Sequence, residues 1–300
     1  MSDLADLYPG FASHWVDTDA GRIFARSGGA GPPLVCLHGF PQTHVMWHRI
    51  APVLAQRFTL VLPDLRGYGW SSAPGSTHGA LYAKRVMAQD VVTLMEALGH
   101  VRFRLLGHDR GARVGYRLAL DHPGRIEKLA LLDIAPTLDT WEGMDKARAL
   151  KMYHWLFLAQ PEPLPEKMIG ADPLAYLDHK LADWSAGKSL AVFDPRALAH
   201  YRAAFNEPSR IHAMCEDYRA GAGVDHALDE ADRAAGRRIE TPLLALWGSA
   251  GNYATGAGPL EAWRRWSPGV TGAAIDSGHF LAEENPDATA KALLDWFEPS

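Results

Sequence analysis

Asp109 stands at the centre of Gly107-His108-Asp109-Arg110-Gly111, after the apolar run Phe103 to Leu106 and before a run with helical spacing. Small residues at both ends let a strand turn sharply into a helix and leave the middle side chain above the strand end, the form of a nucleophile elbow. The usual occupant is serine, and here it is a carboxylate. A serine oxygen that attacked a saturated carbon would leave an ether, which water cleaves poorly. A carboxylate leaves an ester, which water can open in a second step. The motif therefore points to displacement at an alkyl carbon. The competing reading is a plain helix cap, a role aspartate fills well, and the companions of Asp109 weigh against it.

A second, hydrolytic step needs a base, an acid to orient it and donors for a developing oxyanion. His279, in "DSGHFLAEENPD" after the last expected strand, is the candidate base. An imidazole with an ordinary pKa of about 6.5 can take a proton from water near neutral pH. The stretch after the penultimate strand, "LWGSAGNY", has no carboxylate, so Asp133 at the end of "LALLD" is assigned as the acid. This preserves the chain order nucleophile, acid, histidine. Asp64 in "LPDLRGYG" also ends a strand but precedes the nucleophile, and is read as a loop-structuring partner of Arg66. Phe40 in "LHGFP" and Arg110 are expected to offer backbone N–H groups to the oxyanion. Arg110 and Arg113, three residues apart at a helix start, fall on one face, where their planar forks can hold a carboxylate. A small acid held there would present its neighbouring carbon to Asp109. The alternative is that Arg113 pairs with a structural acid and Arg110 supplies only its backbone donor.

The elements that must position these residues read as an α/β protein with a mainly parallel sheet. Six apolar runs are expected strands: "PPLVCLHG", "FTLVLPDL", "FRLLGHD", "IEKLALLDI", "TPLLALWG" and "GAAIDSG". Amphipathic runs between them, among them "HVMWHRIAPVLAQ", "YAKRVMAQDVVTLMEALG" and "PDATAKALLDWF", are expected helices on both faces. From residue 136 to 240 the alternation stops and consecutive helices such as "TWEGMDKARALKMYHWLFLAQ" and "DPLAYLDHKLADWSAG" follow. That segment is expected to be a helical cap inserted into a core of residues 1–135 and 241–300.

Composition narrows the class of function. With 300 residues, 47% hydrophobic and 22% charged, the chain can bury a large core. A net charge of -5 gives no general attraction to nucleic acid or acidic membranes. Cys36 and Cys215 lack metal-ligand spacing and read as reduced, buried thiols. The start of the chain has no basic-then-apolar leader pattern and no apolar run is long enough to span a bilayer, so a soluble, cytoplasmic protein is expected.

The chain resembles the fluoroacetate dehalogenases, the haloacetate dehalogenase branch of the α/β-hydrolases. The motifs that carry the likeness are "HGFPQTHVMWHR", "GHDRGARVGYRLALD", "KMYHWLFLAQPEPLPE", "CEDYRAGA" and "SGHFLAEE". The resemblance implies an α/β-hydrolase fold, Asp109 as nucleophile, Asp133 and His279 as acid and base, and Arg110 with Arg113 as the carboxylate clamp. It further implies a halide pocket of His154, Trp155 and Tyr218, no cofactor, no metal, and a homodimer. Such a pocket is chemically coherent, because fluoride stripped of water needs replacement donors. Two rivals stand beside this reading. An epoxide hydrolase would use the same Asp and His with cap tyrosines, for which Tyr153, Tyr176, Tyr201 and Tyr218 are available, but has no use for paired arginines. A non-catalytic receptor for a small carboxylate would need the clamp but not the base.

Overall fold

The computed structural model describes residues 4–254, 256 and 258–298. Among these residues eight strands build one sheet: β1 (Ala12–Thr18), β2 (Gly21–Gly28), β3 (Pro33–Leu37), β4 (Thr59–Pro63), β5 (Phe103–His108), β6 (Ile126–Leu132), β7 (Leu243–Gly248) and β8 (Thr271–Ile275). Their order is β1-β2-β4-β3-β5-β6-β7-β8. β3 to β8 pair in parallel, whereas β1 pairs with β2, and β2 with β4, in antiparallel fashion. All six expected strands are present. The β1–β2 hairpin was not foreseen. β1 is an edge strand with no fully buried residue, so its sequence lacks the continuous apolar run by which strands covered on both faces are recognised.

Chain connectivity places the site. From β3 the chain moves outward to β4 and then returns to the other side of β3 as β5, so β3 and β5 are neighbours and the loop leaving β3 meets the turn leaving β5 at the carboxyl ends of the two strands. The helix Asp109–Asp121 starts directly at the end of β5, and every residue from Asp109 to Leu120 is buried. Asp109 itself takes a left-handed φ of +46°. The turn is so tight that a Cβ on Gly107 would lie 2.6 Å from the Ala112 Cα, and one on Gly111 would lie 2.3 Å from the His38 carbonyl oxygen. Glycine at both ends of the elbow is therefore a steric requirement, as its sequence suggests.

Residues 137–234, between β6 and β7, contain helices and no strand. The run expected as one helix over 140–160 is three short ones, Thr137–Glu142, Lys146–Lys151 and Tyr153–Leu158. The first break follows Gly143, where Asp145 starts a new helix by accepting a hydrogen bond from the Arg148 N–H. Similarly, "HVMWHRIAPVLAQ" shortens to a 3-10 turn, His44–Trp47, and the single turn Ala51–Leu54 that carries Pro52 near its start. The helix Pro173–Trp184 holds its expected place in the 137–234 segment, and Pro195–Phe205 and Pro208–Ala222 follow it. Cys36 and Cys215 are free thiols, both buried. No helix among the described residues is long and apolar enough to cross a membrane.

A buried polar group ties the loop after β3 to the loop after β8. Glu283 is fully buried and accepts hydrogen bonds from the Gln42 side chain and from the Tyr201 hydroxyl at 3.1 Å, while its carbonyl oxygen accepts from Arg49 Nη1 at 2.7 Å. Burial pushes the Glu283 pKa up to about 8. The folded protein thus keeps a proton that the unfolded chain releases above its ordinary value of 4.5. Stability should therefore fall as pH rises from 4.5 to 8, by at most about 1.4 kcal/mol per pH unit. Urea unfolding between pH 5 and 8 is expected to show a shallower loss for Glu283→Gln than for the unsubstituted protein. Equal slopes would mean that Glu283 is not protonated in the fold.

Candidate active site

The Asp109 carboxylate is held by the loop that follows β3. The Phe40 N–H donates to Asp109 Oδ1 at 2.9 Å. That loop is fixed from beneath by His38, whose Nε2 accepts from the Leu65 N–H at 3.0 Å and whose Nδ1 lies 3.1 Å from the Gly39 carbonyl oxygen. Burial lowers the His38 pKa to about 4, so the ring is neutral, with its proton on Nδ1. Asp64 supports the same loop, but not as expected from its neighbours in sequence. It accepts from the His44 N–H, His44 Nδ1 and the Trp70 N–H at 2.8, 2.9 and 2.9 Å. Arg66 turns away and forms a fork with Asp90 at 2.8 and 2.6 Å. The expected Asp64–Arg66 pairing is thus absent, because His44 and Trp70 take up Asp64 while Asp90 and the Leu81 carbonyl take up Arg66.

Asp133 and His279 meet. His279 Nδ1 is 2.6 Å from Asp133 Oδ2, and Asp133 Oδ1 accepts from the Gly248 N–H at 3.0 Å. The end of β7 offers a backbone donor where a carboxylate is absent, and a side chain there has no room: a Cβ on Gly248 would lie 1.9 Å from the Gly278 oxygen. Burial depresses the imidazole pKa of His279, but the hydrogen bond and charge of Asp133, helped by the charge of Asp109, outweigh it and raise the value. Its Nε2 is buried with no hydrogen-bond partner among the described residues. Two further contacts hold the ring's backbone: the His279 N–H donates to the Trp184 carbonyl at 2.9 Å, and His108 Nε2 lies 2.8 Å from the His279 carbonyl.

The two arginines are differently placed. Arg110 uses Nε and Nη2 on Asp217, at 3.1 Å to Oδ2 and 2.7 Å to Oδ1, and Nη2 also reaches the Asp217 carbonyl at 2.7 Å. Its Nη1 is buried and has no partner among the described residues. Arg113 donates from Nη1 to neutral oxygens, the Ala135 carbonyl at 3.1 Å and the Thr137 hydroxyl at 3.0 Å, and its Nε is unpaired among the described residues. The alternative weighed from sequence is therefore inverted, since the acid meets Arg110 and not Arg113.

Above them the 137–234 segment brings together His154, Trp155 and Tyr218. The Arg113 guanidinium lies 4.5 Å from the Trp155 ring centre and that of Arg110 lies 4.3 Å from the Tyr218 ring. The His154 and Tyr218 rings are 5.6 Å apart, and those of Trp155 and Tyr218 6.2 Å. His154 Nδ1 and the Tyr218 hydroxyl are buried without partners among the described residues. Burial, then the Lys180 charge, holds the His154 pKa well below its ordinary value, while burial and the Asp109 charge raise that of the Tyr218 phenol. Both groups are consequently neutral. Of the other tyrosines, Tyr201 spends its hydroxyl on Glu283.

Three residues went unnoticed in the sequence. Trp184 packs its ring 5.2 Å from that of His279 and 4.6 Å from that of His154. Asp217 holds Arg110. Lys180 is fully buried, with Nζ 3.9 Å from the Tyr153 ring centre and no hydrogen-bond partner among the described residues. Burial lowers its pKa to about 8. The signal for Lys180 and Trp184 was present, because Leu177, Lys180, Leu181 and Trp184 follow helical spacing and place a lysine on an apolar stripe. A surface hollow of about 170 Å³, bordered by Lys151, Tyr153, Trp184 and His279, reaches the histidine. Among the described residues no group of three or more His, Cys, Asp or Glu side chains is arranged to hold a metal ion.

Comparison with known proteins bears on the fold and the family. Residues 32–286 match the family model of the α/β hydrolase fold. The chain is 44% identical over 294 residues to a fluoroacetate dehalogenase of Burkholderia sp., covering 97% of this chain and 95% of the relative. It is 32% identical over 280 residues to a soluble epoxide hydrolase of Corynebacterium sp. (strain C12), covering 93% and 94%. The crystal structure of ALR0039 from Nostoc sp. PCC 7120, described as a candidate α/β hydrolase, superposes with a TM-score of 0.92 at 49% identity, covering 97% of this chain and 99% of that one. On this sheet order, elbow and similarity, the chain belongs to the α/β hydrolase family, with a fluoroacetate dehalogenase among its relatives.

Proposed function

We propose that the protein hydrolyses haloacetates, fluoroacetate among them, to glycolate and halide. The observation that carries this reading is Arg113: a buried guanidinium beside the elbow whose hydrogen bonds go to neutral oxygens, so that its charge is available to an anionic substrate. Arg113, with Nη1 of Arg110, would hold the substrate carboxylate and set the halogen-bearing carbon against Asp109. Phe40 occupies Asp109 Oδ1, which leaves Oδ2 as the attacking oxygen. The new C–O bond forms as the carbon–halogen bond breaks, and the halide departs with the bonding pair toward the donors of His154, Trp155 and Tyr218. Those donors act on charge that appears only as the bond breaks, so they favour the transition state over the bound substrate.

In the second step His279 Nε2 takes a proton from water, and the resulting hydroxide adds to the ester carbonyl carbon, whose oxygen is Oδ1. That oxygen becomes the oxyanion and already faces the Phe40 N–H, with the Arg110 N–H at the helix start as the second donor. Collapse expels glycolate, which receives the proton from His279, and leaves one water oxygen in Asp109. Residues 136–240 act as a cap over a core of residues 1–135 and 241–300. A homodimer is part of this reading and rests on the likeness to the dehalogenases; a cytoplasmic location rests on the sequence alone.

The rival is epoxide hydrolysis, favoured by the Corynebacterium relative and by the unpaired Tyr218 hydroxyl. A neutral epoxide gives Arg113 no role. A halide electrode with chloroacetate and fluoroacetate, set against a diol assay with styrene oxide, decides between them.

Single turnover of excess enzyme in oxygen-18 water should place the label in Asp109, read by mass spectrometry of its peptide, and not in the first glycolate. Asp109→Asn should release no halide. Arg113→Ala should raise KM for chloroacetate about 10- to 100-fold, the scale of a lost charge-assisted hydrogen bond. Because His279 must be neutral to accept a proton, and the hydrogen bond and charge of Asp133 raise its pKa, kcat limited by ester hydrolysis should climb with pH through a midpoint that Asp133 helps to set. Asp133→Asn should move that midpoint down as well as slow the step. A midpoint that stays put would show that Asp133 does not set the basicity of His279.

A further inference from the structure

Asp217 is fully buried on the helix Pro208–Ala222, one residue before Tyr218. It is not exposed to substrate in the scheme above, yet it gathers donors from three separate parts of the core. Arg110 binds it through Nε and Nη2, the Tyr68 hydroxyl donates to Oδ2 at 2.8 Å, and the Lys84 ammonium contacts Oδ1. Lys84 is buried too, lies 3.5 Å from Asp225 Oδ2, and gives its backbone N–H to Asp225 Oδ1 at 2.7 Å. Two buried cations thus face two buried carboxylates. Burial alone would raise the Asp217 pKa, but Arg110 and Lys84 hold it well below the usual carboxylate range, so the acid is ionised and both cations have a partner.

An isolated arginine side chain carries much rotamer freedom, which binding an anion would have to remove. With Nε and Nη2 engaged by Asp217, the guanidinium plane is fixed and Nη1 is the donor left over. Gly221, one turn beyond Asp217, borders the same group: a Cβ there would lie 3.2 Å from Arg110 Nη2. We propose that Asp217, itself held by Lys84 and Tyr68, is the positioning residue that aims Arg110 Nη1 at the substrate carboxylate, so that preference for acids over their neutral analogues depends on this buried Lys84–Asp217–Arg110 chain. The inference rests on the reading of Arg110 as part of a carboxylate clamp.

The test compares halide release from chloroacetate and from chloroacetamide, with acetate binding measured by calorimetry, in the unsubstituted protein, Asp217→Asn and Gly221→Ala. Asp217→Asn is expected to lower kcat/KM for chloroacetate about tenfold or more and to weaken acetate binding by a similar factor, with a markedly smaller loss on chloroacetamide. Gly221→Ala leaves every charge in place and presses only on Arg110, so it should shift both readouts the same way by about threefold. It carries the test should Asp217→Asn fail to fold. Acetate affinity unchanged in a folded Asp217→Asn protein, or equal losses on the acid and the amide, would overturn the proposal. An unsubstituted protein that binds acetate but releases no halide overturns the dehalogenase reading alone; one that binds no acetate overturns the positioning claim.

Discussion

The close approach of the β5 elbow to the β3 loop governs the rest of this molecule. A left-handed residue costs on the order of 1 kcal/mol or more and persists only where its surroundings determine it. Here the surroundings are the His38 oxygen, close to where a Cβ on Gly111 would fall, and the Phe40 N–H, bonded to Asp109 Oδ1. The same contact therefore enforces the turn and orients the carboxylate. His38 and Asp64 keep the β3 loop in register, and Glu283 ties that loop to the one carrying His279. Asp133, also at a left-handed φ, of +54°, turns its carboxylate from the end of β6 toward His279.

Electrostatics divides the buried charges into those that are matched and those left available. Arg110, Lys84, Asp217 and Asp225 balance one another inside the protein. Arg113 meets neutral oxygens only in its hydrogen bonds, and Asp109 meets a backbone N–H. A buried charge without a counterion is costly, so a small anion with an electrophilic carbon satisfies both groups at once. His154 and Tyr218, both neutral, add donors without adding charge.

Much of this was legible in the sequence because it rests on local sterics or on two-sided burial. The elbow glycines, the order Asp109, Asp133, His279 and the six apolar strands all belong to that kind. β1 escaped notice because an edge strand needs no apolar run, and the 140–160 run misled because helical spacing does not reveal a break at Gly143. The Asp64–Arg66 pairing failed for another reason: proximity in sequence does not say which distant partner the fold brings to each side chain, here His44 for Asp64 and Asp90 for Arg66. Asp217 was hidden for the most general reason. Its partners Lys84, Tyr68 and Arg110 are distant in the chain, and only the folded arrangement of the 208–222 helix on the core brings them together.

The caged ammonium of Lys180 has a bearing on when this fold is sturdy. Folded, it sheds its proton near pH 8, whereas an unfolded lysine keeps its own to about 10.4. Alkalinity above 8 therefore favours the native form at this position, opposite in sign to the drift that Glu283 imposes at lower pH. The buried thiols of Cys36 and Cys215, whose pKa burial raises, pull the other way as alkalinity increases, so the gain from Lys180 is confined to its own site.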